Sequence, residues 1–275
     1  MKNILFIATG IVIFLCSCSE TNPNTSTTMN AAAATIKEEN ITYSLDTVTM
    51  NGFVAYNSAD TAKRPVVLIV HEWWGLNNYA KDRAKQLAAL GYLAIAIDMF
   101  GNGKTAEDPD AAGKLAGPFY KDPVMAKARF DAALAKIKTY SVADTSRIAA
   151  IGYCFGGGMV LNFARMGEAL KGVVSFHGSL LGMPADKTNL KADILVCHGE
   201  EDKFVKPEEV TQFKKELDDI GASYTFRSYA GATHAFSNPG ATEKGIKYKL
   251  PIAYNAAADT ASFNEMKSFL GKIFR

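Results

Sequence analysis

The sequence predicts an α/β fold with a mostly parallel central sheet, helices on both faces and an antiparallel N-terminal start. Three observations predict it. From residue 66 onward, short apolar runs alternate with stretches of helical length, as in strand–helix–strand units. The runs Val66-Val67-Leu68-Ile69-Val70 and Tyr92 to Ile97 are apolar throughout, as expected of strands covered on both faces. Ahead of them, Ile41 to Thr49 alternates, and Asn51-Gly52 reads as a hairpin turn before a returning strand, Phe53 to Tyr56.

The elements follow in order. Arg64-Pro65 opens the first buried strand, and His71-Glu72-Trp73-Trp74-Gly75 follows it as a loop. Asn77 to Leu90 reads as a helix with Ala84, Leu87, Ala88 and Leu90 along one face and Gly91 as its stop. The next strand ends at Asp98. Gly101 to Pro118 reads as a long loop with a short helix at Asp110 to Ala116; loops of that length are often functional. Pro123 to Tyr140 reads as a helix with proline at its start. Arg147 to Ile151 is a strand, and Met159 to Arg165 a helix. Val173 to Gly178 and Ile194 to Cys197 are strands, Pro207 to Ile220 an amphipathic helix ended by Gly221, Ser223 to Tyr229 a strand, and Ala256 to Ile273 the closing helix.

Residues 1–18 are expected to leave the fold. Lys2 is followed by an apolar run, Ile4 to Leu15, too short to span a membrane comfortably. Leu15-Cys16-Ser17-Cys18 resembles the bacterial lipobox. That resemblance implies cleavage before Cys18 and lipid on its sulfur and new amino group, hence an exported protein anchored to a bacterial membrane at its periplasmic or outer-membrane face. An ordinary secretory signal with incidental cysteines is the plainer reading. Residues 19–34 are rich in Ser, Thr, Asn and Ala and read as a flexible tether. Residues 35–275, about 240 of them, suffice for one α/β domain with a full core.

The net charge is +2, and loss of Lys2 would leave about +1, so neither nucleic acid nor a polybasic membrane surface is expected. No HxxxH or CxxC spacing suggests a metal site, and no cofactor is expected. Of the four cysteines, Cys154 and Cys197 fall in the expected domain. An exported chain could pair them, but pairing would consume the candidate nucleophile.

That candidate sits in Gly152-Tyr153-Cys154-Phe155-Gly156-Gly157-Gly158, between a strand and a helix. Gly-x-nucleophile-x-Gly in that position is the nucleophile elbow of the α/β-hydrolases. A thiol is a strong nucleophile only as thiolate, so a base and an acid are needed. α/β-Hydrolases supply them in the order nucleophile, acid, histidine. Cys154, Asp202 and His234 fall in that order, each just after an expected strand. Glu200 and Glu201 are rivals to Asp202. Among the four histidines His234 is best placed as base; His71 reads as strand-end packing, His177 as pocket lining and His198 as structural.

Four segments together resemble the dienelactone hydrolase family: His71-Glu72-Trp73-Trp74-Gly75, the Cys154 elbow, Gly199-Glu200-Glu201-Asp202-Lys203-Phe204-Val205, and Gly231-Ala232-Thr233-His234-Ala235-Phe236. The resemblance spans about residues 40 to 275. It implies an α/β-hydrolase fold, a Cys154–Asp202–His234 triad, and a Glu72 that helps deprotonate the thiol when substrate enters. The oxyanion hole would be the N–H groups of Phe155 and Trp73. Trp74, His177, Phe236, Asn102 and Asn238 would line the pocket. The family type holds an anionic substrate with two arginines; Asn102 and Asn238 stand where they are expected, and asparagine does not replace a bidentate clamp. A small neutral ester or lactone is therefore the expected partner of a monomeric chain, besides the membrane at its anchor. The alternative is a non-catalytic lipoprotein that binds a ligand in the same pocket. A thiol-transfer role for Cys154 is a third reading.

Overall fold

The computed structural model describes Met1 and residues 35–59 and 61–275. The segments expected to form a lipobox with Cys18 and a tether over 19–34 lie outside the described residues. Eight strands and seven helices are described: β1 (Ile36–Leu45), β2 (Val48–Asn57), β3 (Arg64–Val70), α1 (Asn78–Ala89), β4 (Leu93–Ile97), α2 (Pro109–Lys121), α3 (Pro123–Lys138), β5 (Ala143–Tyr153), α4 (Phe155–Arg165), β6 (Gly172–Phe176), β7 (Asp193–Gly199), α5 (Pro207–Asp219), β8 (Tyr224–Tyr229), α6 (Ala241–Tyr248) and α7 (Ala256–Ile273). They build one sheet in the order β1-β2-β4-β3-β5-β6-β7-β8. β1 and β2 pair antiparallel, β2 meets β4 antiparallel, and the strands from β4 to β8 are parallel.

The continuous apolar runs are explained by the two faces they serve. Val66, Leu68 and Val70 of β3 pack into a core with Phe130 of α3, Phe163 of α4 and Phe213 of α5. Val67 and Ile69 point the other way, into a second core with Leu87 of α1 and Leu270 of α7. Residue alternation in a strand makes both faces apolar when helices cover both. Among the described residues no helix is long and apolar enough to cross a membrane.

Three local expectations are corrected. The first hairpin turns at Asp46-Thr47, with Asp46 at φ 52°, and Asn51-Gly52 lies inside β2 opposite Thr42 and Ile41. Tertiary contacts decide this. The Asn51 N–H donates to the Asp98 carboxylate at 3.0 Å, and a β-carbon on Gly52 would stand 3.1 Å from the Tyr43 ring, so that glycine serves a close approach and not a turn. α2 is a full helix, capped by the Asp108 carboxylate on the Ala111 N–H at 2.8 Å with Pro109 in its first turn, and it runs on through Pro118. α4 begins at Phe155, four residues earlier than the glycine-rich sequence suggests. Packing overrides the poor helix propensity of Gly156-Gly157-Gly158: β-carbons on the first two would stand 2.2 Å from the Val70 carbonyl and 2.7 Å from the Ser175 hydroxyl. α6, between β8 and α7, carries no long apolar periodicity that would announce it.

Candidate active site

Strand order reverses between β3 and β5, and crevices at such a switch point lie at the carboxyl ends of the strands. β3 delivers His71 and Glu72 there, β5 Cys154, β6 His177, β7 Asp202 and β8 His234. Cys154 sits on a tight elbow at φ 54°, ψ −113°, a conformation that costs a non-glycine residue on the order of 1–3 kcal/mol. Two glycines allow the turn. A β-carbon on Gly152 would fall 2.0 Å from the Gly156 carbonyl oxygen, and Gly156 itself donates its N–H to the His71 carbonyl at 3.1 Å. The elbow thus locks β5, β3 and α4 together beneath the thiol.

His234 is buried beside Cys154. Its Nδ1 bonds the Asp202 Oδ2 at 2.8 Å, and the other Asp202 oxygen accepts the Phe204 N–H at 2.8 Å. Burial alone would push His234 down; the charge of Cys154 beside it and the Asp202 carboxylate overcome it and raise it to about 10. The three residues the sequence singled out are therefore brought together in space.

Glu72 is fully buried at the same crevice. Burial pushes its carboxyl up, while Lys244 on α6 and the Asn238 amide, which donates to Oε2 at 2.6 Å, oppose the rise. Among the described residues, the N–H groups of Phe155 and Trp73 donate to no backbone acceptor. His71 packs at its strand end against Phe100 and Phe155, and its Nε2 accepts the Met99 N–H at 3.3 Å. Cys154 and Cys197 are free thiols. Among the described residues no His, Cys, Asp or Glu cluster is arranged to hold a metal ion.

The thiol opens into a cavity of about 430 Å³ whose walls are mostly apolar; Glu72, Trp73, Trp74, Cys154 and His234 form its floor. Of the five residues expected to line it, Trp74 does. His177 is absent from the lining because its backbone, at φ 40°, turns the ring into the core against Tyr153 and Phe236. Phe236 is fully buried in the second core. Asn102 sits in a left-handed turn at φ 57°, its N–H on the Thr49 carbonyl. Asn238 spends its amide on Glu72 and on the Gly240 N–H. The wall instead comes from Gly113, Ala116, Gly117 and Tyr120 of α2, with Phe204 and Leu250. Two glycines four apart in a helix were the available signal for that wall.

A model of the dienelactone hydrolase family matches residues 50–274. The chain belongs to the dienelactone hydrolase family. Protein usf of Aquifex pyrophilus is 31% identical over 179 residues, 63% of this chain and 77% of its own. A protein of Aquifex aeolicus (strain VF5), provisionally named a carboxymethylenebutenolidase, is 30% identical over 179 residues, with the same two coverages. A solved structure of a dienelactone hydrolase-like promiscuous phosphotriesterase from metagenomic libraries superposes with a TM-score of 0.82 at 31% identity, covering 87% of this chain and 99% of that one. This dienelactone hydrolase family member is thus a carboxylic-ester hydrolase on an α/β-hydrolase fold.

Proposed function

We propose that this hydrolase cleaves small neutral esters or lactones through a Cys154 thioester, with His234 as base and acid and Asp202 as its orienting partner. The observation that carries the reading is the imidazole of His234, bonded through Nδ1 to Asp202 and lining, with Cys154, the floor of one apolar cavity. The Cys154 thiolate attacks the ester carbonyl. The Phe155 and Trp73 N–H groups receive the oxyanion; one such donor is typically worth about 3 kcal/mol. His234 protonates the departing alkoxide, then takes a proton from the water that opens the thioester. Glu72, its carboxyl pushed up by burial, is suited to take the thiol proton as substrate enters.

The charge of the cavity supports a neutral substrate. No lysine or arginine lines it, and the one carboxyl group there is Glu72. The nearby cation, Lys244, lies 4.0 Å over the Trp74 ring and is drawn to Glu72. A substrate carboxylate would meet Glu72 without a bidentate partner.

The test is turnover of short-chain nitrophenyl esters, neutral lactones and a carboxylated dienelactone by wild type and Cys154→Ala. Turnover of the neutral compounds that vanishes in the variant supports the reading. Equal turnover by Cys154→Ala overturns the nucleophile, and preferred turnover of the carboxylated compound overturns the substrate class. Export and anchoring through a lipidated Cys18 belong to the same proposal. They predict palmitate labelling of the full chain that Cys18→Ala abolishes; labelling that persists removes the anchor.

A further inference from the structure

The elbow has one neighbour that the triad does not explain. His177 is fully buried, and its Nδ1 lies 3.1 Å from the backbone N of Cys154. That N–H also reaches the Phe176 carbonyl at 3.0 Å, which continues the β5–β6 ladder. A backbone N–H only donates, so Nδ1 accepts and the ring proton sits on Nε2. Nε2–H then donates to the Ser237 hydroxyl at 2.8 Å, and that hydroxyl is hydrogen-bonded to the Tyr79 hydroxyl at 2.7 Å. Arg83 fixes the far end: it donates to the Ser237 carbonyl at 2.6 Å and is ion-paired with Asp259 of α7. Burial first, then the charges of His234 and Arg83, hold His177 well below the ordinary histidine value, consistent with a neutral ring.

This string joins two things that must stay in register. One end is the peptide N–H of the nucleophile itself. The other is Ser237, three residues past His234 on the same loop. The His177 ring also meets the His234 ring edge-on, with centroids 5.3 Å apart. A residue lining the substrate cavity would not be spent this way.

We propose that His177 is a positioning residue for the hydrolysis. Its ring anchors the Cys154 peptide to the His234 loop, so that thiol, imidazole and the Phe155 N–H keep their mutual geometry while acyl groups come and go. The inference rests on Cys154 as nucleophile. It does not involve substrate contact, so its effect belongs in kcat and not in KM.

Two near-isosteres separate the two ends of the ring. His177→Asn places an acceptor where Nδ1 stands, facing the Cys154 N–H. His177→Gln reaches Ser237 but offers nothing to that N–H. Each is assayed with a nitrophenyl ester, by thermal melting, and by the iodoacetamide alkylation rate at Cys154 read from its tryptic peptide. Relative to wild type, His177→Gln is expected to lose kcat on the order of tenfold, with KM within about twofold and alkylation slowed in parallel; His177→Asn recovers most of the loss. Equal impairment of the two variants, unchanged kcat in His177→Gln, or a loss confined to KM overturns the proposal. Should His177→Gln fail to fold, Ser237→Ala cuts the string without touching the ring: a several-fold fall in kcat at constant KM supports the anchor, and none overturns it. Cys154→Ala run alongside keeps the two readings apart. Activity there removes the nucleophile, whereas an inactive Cys154→Ala beside a fully active His177→Gln removes the anchor alone.

Discussion

The floor and the wall of the cavity are built on different terms. The floor comes from strand ends, and its groups are held by specific partners: Asp202 on His234 and on the Phe204 N–H, Asn238 on Glu72, His177 on Cys154 and Ser237. The wall comes largely from one helix, α2, and offers small apolar surfaces: Gly113, Ala116 and Gly117, closed by the Tyr120 ring. Low-dielectric burial makes each floor contact expensive to leave unmade, whereas the wall has only volume to lose. Chemistry is therefore tied to the floor and selectivity to the wall, and substitutions in the two should differ in both size and kind.

The largest effect is expected at the floor. Asp202→Asn keeps the shape but lets the imidazole adopt the wrong tautomer, and kcat should fall by about 10³- to 10⁴-fold with little change in melting temperature. A loss below about tenfold would show that Glu200 or Glu201 takes over, and would blur the contrast between floor and wall.

Next comes the elbow. Gly152→Ala would force a β-carbon to 2.0 Å from the Gly156 carbonyl oxygen, a backbone atom that cannot swing aside. Destabilisation of about 3 kcal/mol or more is expected in urea unfolding. An alanine variant as stable as wild type would mean that the elbow relaxes freely, contrary to the packing of α4 on β3.

The two strand-end histidines differ more gently, and pH separates them. His234 is raised to about 10 from an ordinary 6.5, so its contribution to stability is complete below 6.5 and is lost as pH climbs toward 10. Removing the side chain in Cys154→Ala should shrink that loss, because Cys154 is the main contributor to the rise of His234. His177 is pushed the other way and contributes no fall in that window. Melting curves of wild type and Cys154→Ala across pH 6.5 to 10 measure the difference; identical slopes would mean that the two side chains are uncoupled.

How much was legible in the sequence follows the same division. The floor was legible because strand ends carry chemistry in fixed order, and Gly152, Gly156 and Gly199 mark the places where backbones touch. Gly199 shows the point: a β-carbon there would stand 2.5 Å from the Ala232 carbonyl, which seats the acid loop against the histidine loop. The wall was not legible, because whether Gly113 and Gly117 face a cavity depends on how α2 docks, and no local pattern encodes docking. The first hairpin failed for a related reason. Asn51-Gly52 has the chemistry of a turn, but the contact with Asp98 and the crowding under Tyr43 are long-range and outweigh it. His177 was placed at the site from its strand-end position, but its direction depends on a left-handed backbone that sequence spacing does not announce.

The smallest effect is expected at the wall, where it tests whether glycine there is kept for room or for backbone freedom. Gly113 and Gly117 sit within α2 with ordinary helical backbone, and a β-carbon on either would meet nothing within 4 Å. Glycine inside a helix costs roughly 1 kcal/mol relative to alanine, so a helix that keeps two of them gives up stability for space. Gly117→Ala should therefore raise stability by about 0.5–1 kcal/mol and leave turnover of a short acyl ester as it was. Gly117→Leu should lower kcat/KM several-fold for bulky acyl or aryl esters while sparing acetyl esters, since the added side chain occupies the cavity above Cys154. A uniform loss across both ester sizes would place Gly117 with the floor, and the division between chemistry and volume would then fail at the one helix that defines it.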